Sequence, residues 1–151
     1  MSQKEINTFK DDFKFLSNFY PSPIMWDGYS WPTVEHAFQA AKTYDIDMRK
    51  LIREALTATK AKYFGRKVKL RLDWESIKIS LMYELVRLKF FPNTRLAKLL
   101  LSTGDSILIE GNYWHDNIWG GCNCDKCKNI KGQNNLGYIL MLVRDELKQR
   151  K

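Results

Sequence analysis

No stretch of this 151-residue chain approaches the roughly 20 consecutive apolar residues of a membrane-spanning helix, so no span is expected. The amino-terminal Met1-Ser2-Gln3-Lys4-Glu5 lacks the apolar region of a secretion signal, and a cytoplasmic setting is expected. Cysteine is scarce: Cys122, Cys124 and Cys127 are the only three, all in one short run. An odd count in a reducing compartment argues against a disulfide framework. Histidine is scarcer, and neither His36 nor His115 has the spacing of a second metal-ligand pair. Internal repeats, low-complexity segments and long linkers are absent as well. The chain is therefore read as a single domain over residues 1–151.

What is present is enough for a core, with 44% of residues apolar. The net charge of +8 favours an anionic partner such as nucleic acid, a nucleotide or a phosphate ester. The first 30 residues read as short extended pieces. Ile24-Met25-Trp26 and Tyr29-Ser30-Trp31 flank Asp27-Gly28, a hairpin signal. Helices are expected from Thr33 to Thr43, Met48 to Leu56 and Ala58 to Phe64, the last capped by Gly65. The basic run from Arg66 to Arg71 follows, read either as a solvated connection or as a phosphate-facing patch. Asp73 is expected to cap the longest helix, Trp74 to Phe91, whose apolar residues keep a helical period. Asn93 opens another helix through Leu101. A strand from Ser106 to Glu110 precedes a polar, aromatic loop from Gly111 to Gln133. Asn134 or Asn135 then opens a last helix that buries Leu136, Ile139, Leu140, Val143 and Leu147. The expected class is a mainly helical α+β domain with few short strands.

Two constellations carry chemistry. At about 100° per residue, Glu35, Gln39 and Lys42 fall within roughly 60° of one another on the first helix. A carboxylate and an amine at close quarters can share acid–base or nucleophilic work. A solvated polar face with a Glu–Lys contact would show the same spacing. The second constellation is the stretch Gly111 to Gly121, with Asn112, Asp116, Trp119 and Gly120. Asp116 is a second carboxylate or a turn residue. Trp119 is a stacking plane or a core anchor, and Gly120 and Gly121 would let a ligand approach the backbone. Trp74 has the same two readings, pocket wall or core. Asn18 fixes a ligand or its own turn. The C-x-C-x-x-C run completes a zinc site only with a fourth ligand from His115, Asp125 or a water. Free thiols in an ordered loop are the preferred reading, and no metal or cofactor is expected.

The segments Leu16 to Pro23, Trp31 to Lys42, Ala61 to Arg66, Asp73 to Lys78, Lys89-Phe90, Thr103-Gly104-Asp105, Asp116 to Gly120 and Asn135 to Met141 together resemble the NADAR (YbiA-like) family. They run in family order over almost the whole chain. The resemblance implies an N-glycosidase. Family members cleave phosphorylated intermediates of riboflavin synthesis or remove ADP-ribose from guanine. It implies catalytic roles for Glu35, Trp74 and Asp116, and a lysine that forms an imine with the opened ribose. Lys42 or Lys62 matches that lysine. The expected substrate contacts are Asn18, Phe19, Gln39, Lys62, Arg66, Asn112, Trp119 and Gly120. The expected partner is ADP-ribosylated guanine or an ADP-ribose-like molecule, with DNA as a possible carrier. Competing classes are a non-catalytic ADP-ribose reader, a nucleic-acid-binding module and a zinc-stabilised interaction domain.

Overall fold

The computed structural model describes residues 4–150. The elements run β1 (Glu5–Ile6), β2 (Ile24–Trp26), β3 (Tyr29–Trp31), α1 (Val34–Ala40), α2 (Ile46–Arg53), α3 (Ala58–Gly65), α4 (Trp74–Lys89) and α5 (Arg95–Ser102). They continue with β4 (Ile107–Leu108), β5 (Gly111–Asn112), β6 (Gly121–Cys122) and α6 (Asn135–Gln149). Helix dominates and the strands are short, as expected. The chain divides into two units, Asn18–Lys89 and the segments on either side of it.

In Asn18–Lys89 the chain first doubles back. Asp27 and Gly28 both take positive φ, at 51° and 81°, the backbone a two-residue hairpin between right-twisted strands requires. β2 and β3 pair antiparallel, Ile24 opposite Trp31. The Trp31 indole N–H donates to the Trp26 carbonyl at 2.8 Å, so a buried ring keeps its polar atom satisfied. Thr33 then caps α1, its hydroxyl oxygen accepting the His36 N–H at 3.1 Å. Asp45 caps α2 and Thr57 caps α3 in the same way. Each such cap contributes about 1 kcal/mol. Every residue of α1 is buried. Helices α2, α3 and α4 pack on it. A helix that is covered all round must satisfy its polar side chains internally.

Several expected boundaries move; α2, for one, ends at Arg53 rather than Leu56. Helix α1 ends at Ala40, so Lys42 sits in the following turn, where its N–H donates to the Gln39 carbonyl at 3.3 Å. Helix α2 starts at Ile46, because Asp45 satisfies the free N–H groups of Asp47 and Met48. Helix α4 stops at Lys89, short of Phe91. Gly65 is not a left-handed cap either. It lies within α3, and the following Arg66 is itself right-handed. A Cβ at residue 65 would collide with the Gln39 side chain, so close approach explains that glycine.

In the other unit, β1 pairs parallel with β4, Glu5 opposite Ile107 and Ile6 opposite Leu108. The strand expected from Ser106 to Glu110 shortens to these two residues, and the segment Asp11–Leu16, expected to be extended, forms a 3-10 helix. Thr94, not Asn93, caps α5: its hydroxyl oxygen accepts the Ala97 N–H, while Asn93 turns the chain at φ 70°. Asn134 precedes α6 in the left-handed region at φ 51°. Its side chain accepts the Glu110 N–H at 3.0 Å and donates to the Leu108 carbonyl at 2.9 Å. It thereby ties α6 to β4. Leu136, Ile139, Leu140, Val143 and Leu147 face the interior as their period requires. The loop from Gly111 to Gln133 is more regular than expected, with β5 and β6 paired parallel and a 3-10 turn at Asp125–Cys127.

Among the described residues no helix is long and apolar enough to cross a membrane.

Candidate active site

Glu35 lies in the first turn of α1 and is 7% exposed. Two backbone N–H groups hold that turn in place: the Glu35 N–H donates to the Asn18 carbonyl at 3.2 Å, and the His36 N–H donates to the Thr33 hydroxyl oxygen. A carboxylate inside a protein needs hydrogen-bond donors. Gln39, one turn on, supplies one: its Nε2 donates to Glu35 Oε1 at 2.7 Å. Gln39 is itself 4% exposed and lies against Gly65 of α3. The Glu35–Gln39 part of the predicted stripe is thus on the helix, and it is buried rather than a wet face.

Lys42 completes the group from the turn beyond α1. Burial pushes its ammonium below the usual lysine range. The Glu35 carboxylate opposes that shift, and the positive charges of Lys62, Arg66 and Lys78 add to it. Lys62 and Arg66 come from α3 and its end, Lys78 from α4. The structure therefore gathers Glu35, Gln39, Lys42, Lys62 and Arg66 around one electropositive locus. Like charges crowded onto one amine favour its neutral, nucleophilic form. The Lys62 ammonium also sits 5.9 Å from the ring centre of Phe19, a half-exposed aromatic. Asn18 is buried, and its side-chain amide donates to Met82 Sδ at 3.4 Å. Its backbone carbonyl accepts the Glu35 N–H and so anchors the start of α1.

Trp74 opens α4 and is 6% exposed, with its ring 5.0 Å from that of Phe38 on α1 at a tilt of 56°. It braces the helix that bears Glu35. His36, next to Glu35, faces a different task. Its Nε2 meets the Ala55 carbonyl at 3.0 Å and its Nδ1 meets the Thr33 hydroxyl at 2.8 Å. A carbonyl only accepts, so Nε2 carries the proton and Nδ1 accepts from Thr33. Burial lowers the His36 pKa from its ordinary value, against the effect of the Ala55 bond. His36 is a neutral strut between α1 and the segment after α2.

The second constellation belongs to the other unit. The Asn112 amide donates to the Asp116 carbonyl at 2.8 Å, and the Asp116 N–H donates to Asn112 Oδ1 at 3.1 Å. Asp116 Oδ1 accepts the N–H groups of Ile118 and Trp119 at 3.1 and 2.9 Å. The Asp116 carboxylate thus organises its own turn, and Trp119 is half-buried beside it. At Gly120 a Cβ would collide with the backbone and carboxylate of Glu110, so packing of the chain on itself demands a glycine there.

Lys89 belongs to a segment that carries the resemblance, but the sequence gives it no site role. It is 4% exposed at the end of α4, and burial lowers its pKa to about 7. Its ammonium lies 5.7 Å from the Tyr20 ring centre. The signal was available: residue 89 continues the buried series Leu81 and Leu85 at four-residue steps. The basic run has a definite place too. Lys67 to Leu72 line a cleft of about 740 Å³ together with Thr43, Tyr44, Asp45, Met48 and Asp73. Within it the Arg71 guanidinium binds both oxygens of Asp73, at 2.6 and 2.9 Å.

The NADAR domain matches residues 6–148 of this chain. The N-glycosidase YbiA of Shigella flexneri serotype 5b is 40% identical over 139 residues, covering 91% of this chain and 83% of that protein. A riboflavin biosynthesis protein of Vibrio vulnificus is 39% identical over 137 residues, covering 89% of this chain and 36% of that protein. The solved structure of Escherichia coli YbiA superposes with a TM-score of 0.83 at 38% identity, covering 99% of this chain and 88% of that one. A match of this breadth in both sequence and fold means that the chain belongs to the NADAR family.

Proposed function

We propose that this protein hydrolyses the N-glycosidic bond of a phosphorylated ribose-linked base, removing ADP-ribose from guanine in DNA or nucleotides or cleaving riboflavin-pathway intermediates, in the cytoplasm. The class of reaction follows from relatives named N-glycosidases. The observation that carries the assignment to residues is the buried Glu35 carboxylate, aimed by Gln39 and set beside an amine of lowered pKa.

Cleavage of the bond builds positive charge on the anomeric carbon, and the leaving nitrogen must gain a proton. Glu35 serves as the acid–base group. It stabilises the developing cation and manages the proton exchanged with water and the departing base. Lys42, when neutral, attacks the aldehyde carbon of the opened ribose. Loss of water gives an imine, and return of water releases the sugar and restores the amine. Lys62 is the alternative amine. Lys62 and Arg66 supply positive charge for substrate phosphates. Trp74 braces Phe38 and α1. Asp116 keeps the role of second carboxylate on the strength of the family resemblance, with Asn112, Trp119 and Gly120 as parts of its turn.

The deciding experiment assays ADP-ribosylated guanine DNA beside phosphorylated riboflavin intermediates, with wild type against Glu35→Gln. Glu35-dependent release of ADP-ribose identifies a de-ADP-ribosylating enzyme. Glu35-dependent cleavage of the riboflavin intermediates alone identifies a metabolic glycosidase. Binding of ADP-ribose with no product from either substrate overturns the hydrolase reading in favour of a reader.

A further inference from the structure

We propose that His115, Cys122, Cys124 and Cys127 form a closed zinc site that staples the loop carrying Asp116 and Trp119. The ligand atoms of these four residues all lie within 4.8 Å of one another. More telling is the arrangement around the imidazole. His115 Nδ1 lies 3.3 Å from Cys124 Sγ, 3.4 Å from Cys127 Sγ and 3.8 Å from Cys122 Sγ. In a zinc tetrahedron with Zn–S near 2.3 Å and Zn–N near 2.0–2.1 Å, the N···S edge is about 3.6 Å. The three observed separations bracket that edge. Hydrogen bonding does not account for them. One Nδ1 carries one proton or one lone pair, so it can satisfy one sulfur, not three.

The surroundings are those of thiolate ligands. The Asn117 side-chain amide donates to Cys127 Sγ at 3.4 Å, and the Cys124 N–H donates to Cys122 Sγ at 3.5 Å. Asn117 Oδ1 accepts the Cys122 N–H at 2.9 Å, so one side chain orients two ligand residues. Three thiolates and a neutral imidazole around a divalent ion leave one net negative charge, and Lys126, Lys128 and Lys131 stand in the same loop. The donor set is soft and complete, which suits zinc in a structural role with no open position for water or substrate. Cys122 and Cys127 are buried, while His115 is exposed and Cys124 half-buried, which gives the ion a way in. His115 is covalently next to Asp116. The ion would therefore fix one end of the turn whose N–H groups Asp116 collects.

The test needs no substrate, so it is independent of the proposed reaction. The full chain purified from zinc-replete medium is measured for metals by inductively coupled plasma mass spectrometry. One equivalent of zinc is expected. Co2+ added to the reduced, zinc-stripped protein should give a thiolate-to-metal charge-transfer band and the intense visible bands of tetrahedral coordination. His115→Ala and Cys124→Ser should each lose most of the zinc. Wild-type protein that holds no zinc and gives no thiolate–cobalt spectrum overturns the site, whatever the variants do. Stoichiometric iron in place of zinc overturns the choice of ion, and an unchanged cobalt spectrum in His115→Ala overturns the histidine ligand.

Discussion

Gln39 Nε2 donates to Glu35 Oε1 at 2.7 Å, and the same amide fills the space that a side chain at residue 65 would take. The Gln39 Oε1 atom is buried without a hydrogen-bond partner. The amide is held by packing against α3 and by its one bond to the carboxylate. Glu35 is therefore aimed by a neighbour one turn along its own helix, and that neighbour is held in place by α3 through a glycine that lets α3 approach.

Gly65→Ala should disturb that relay. The new methyl group must push Gln39 away, and overpacking of this kind destabilises by about 1–3 kcal/mol. Displacement of a reacting group by about 1 Å can lower turnover on the order of 100-fold. Chemical denaturation and product assays on the folded variant check both. Wild-type turnover in Gly65→Ala would disconnect Gln39 from the reaction.

Borohydride trapping should identify the amine. Because burial and neighbouring cations hold Lys42 below the usual lysine range, its adduct should form at pH values where an ordinary exposed lysine is still protonated. Lys42→Ala should abolish the adduct in mass spectra. An adduct that survives Lys42→Ala and vanishes in Lys62→Ala or Lys89→Met moves the nucleophile to that residue.

His36 should make stability depend on pH on the acid side. Its folded pKa lies below the unfolded value near 6.5, so the unfolded chain takes up the proton first. The stabilisation is full above about pH 6.5 and falls as the pH drops below it. His36→Gln should flatten this part of the curve of melting temperature against pH. An unchanged slope in the variant would exclude His36 as its source.

Lys89 should act on the alkaline side. With a folded pKa of about 7 and an unfolded value of 10.5, the unfolded chain binds the extra proton between them. Stability should rise from about pH 7 towards 10.5, and Lys89→Met should remove that rise. The same slope in wild type and variant would place the titration elsewhere.

The helical period by itself places most of the elements. Thr33 and Gly28 announced their cap and turn, and Leu136 to Leu147 announced a buried face. What misled were residues whose local chemistry was borrowed by distant partners. Asn93 reads as a cap, but Thr94 is the residue whose hydroxyl reaches the helix N–H groups. Asn134 reads as a cap, but its amide is taken by Leu108 of β4 and by Glu110 just beyond it. Gly65 reads as a helix cap and Gly120 as a place for a ligand to approach the backbone, and each is a point where another part of the chain presses close. Lys89 is an ordinary helix residue in sequence, and only burial gives it an amine that loses its proton near neutral pH.

By itself the sequence determined the helical character, the family and the set of chemical groups, because these depend on residue type and short-range spacing. It put Glu35, Gln39 and Lys42 on one stripe by helical geometry alone. Whether that stripe was wet or buried was decided by α2, α3 and α4 closing over α1, which no local period encodes. His115 joining three cysteines, and Lys62, Arg66 and Lys78 converging on Lys42, were tertiary decisions too. The physical reason is common to both: electrostatic and ligand interactions depend on distances through space, and a chain sets those distances only when it packs.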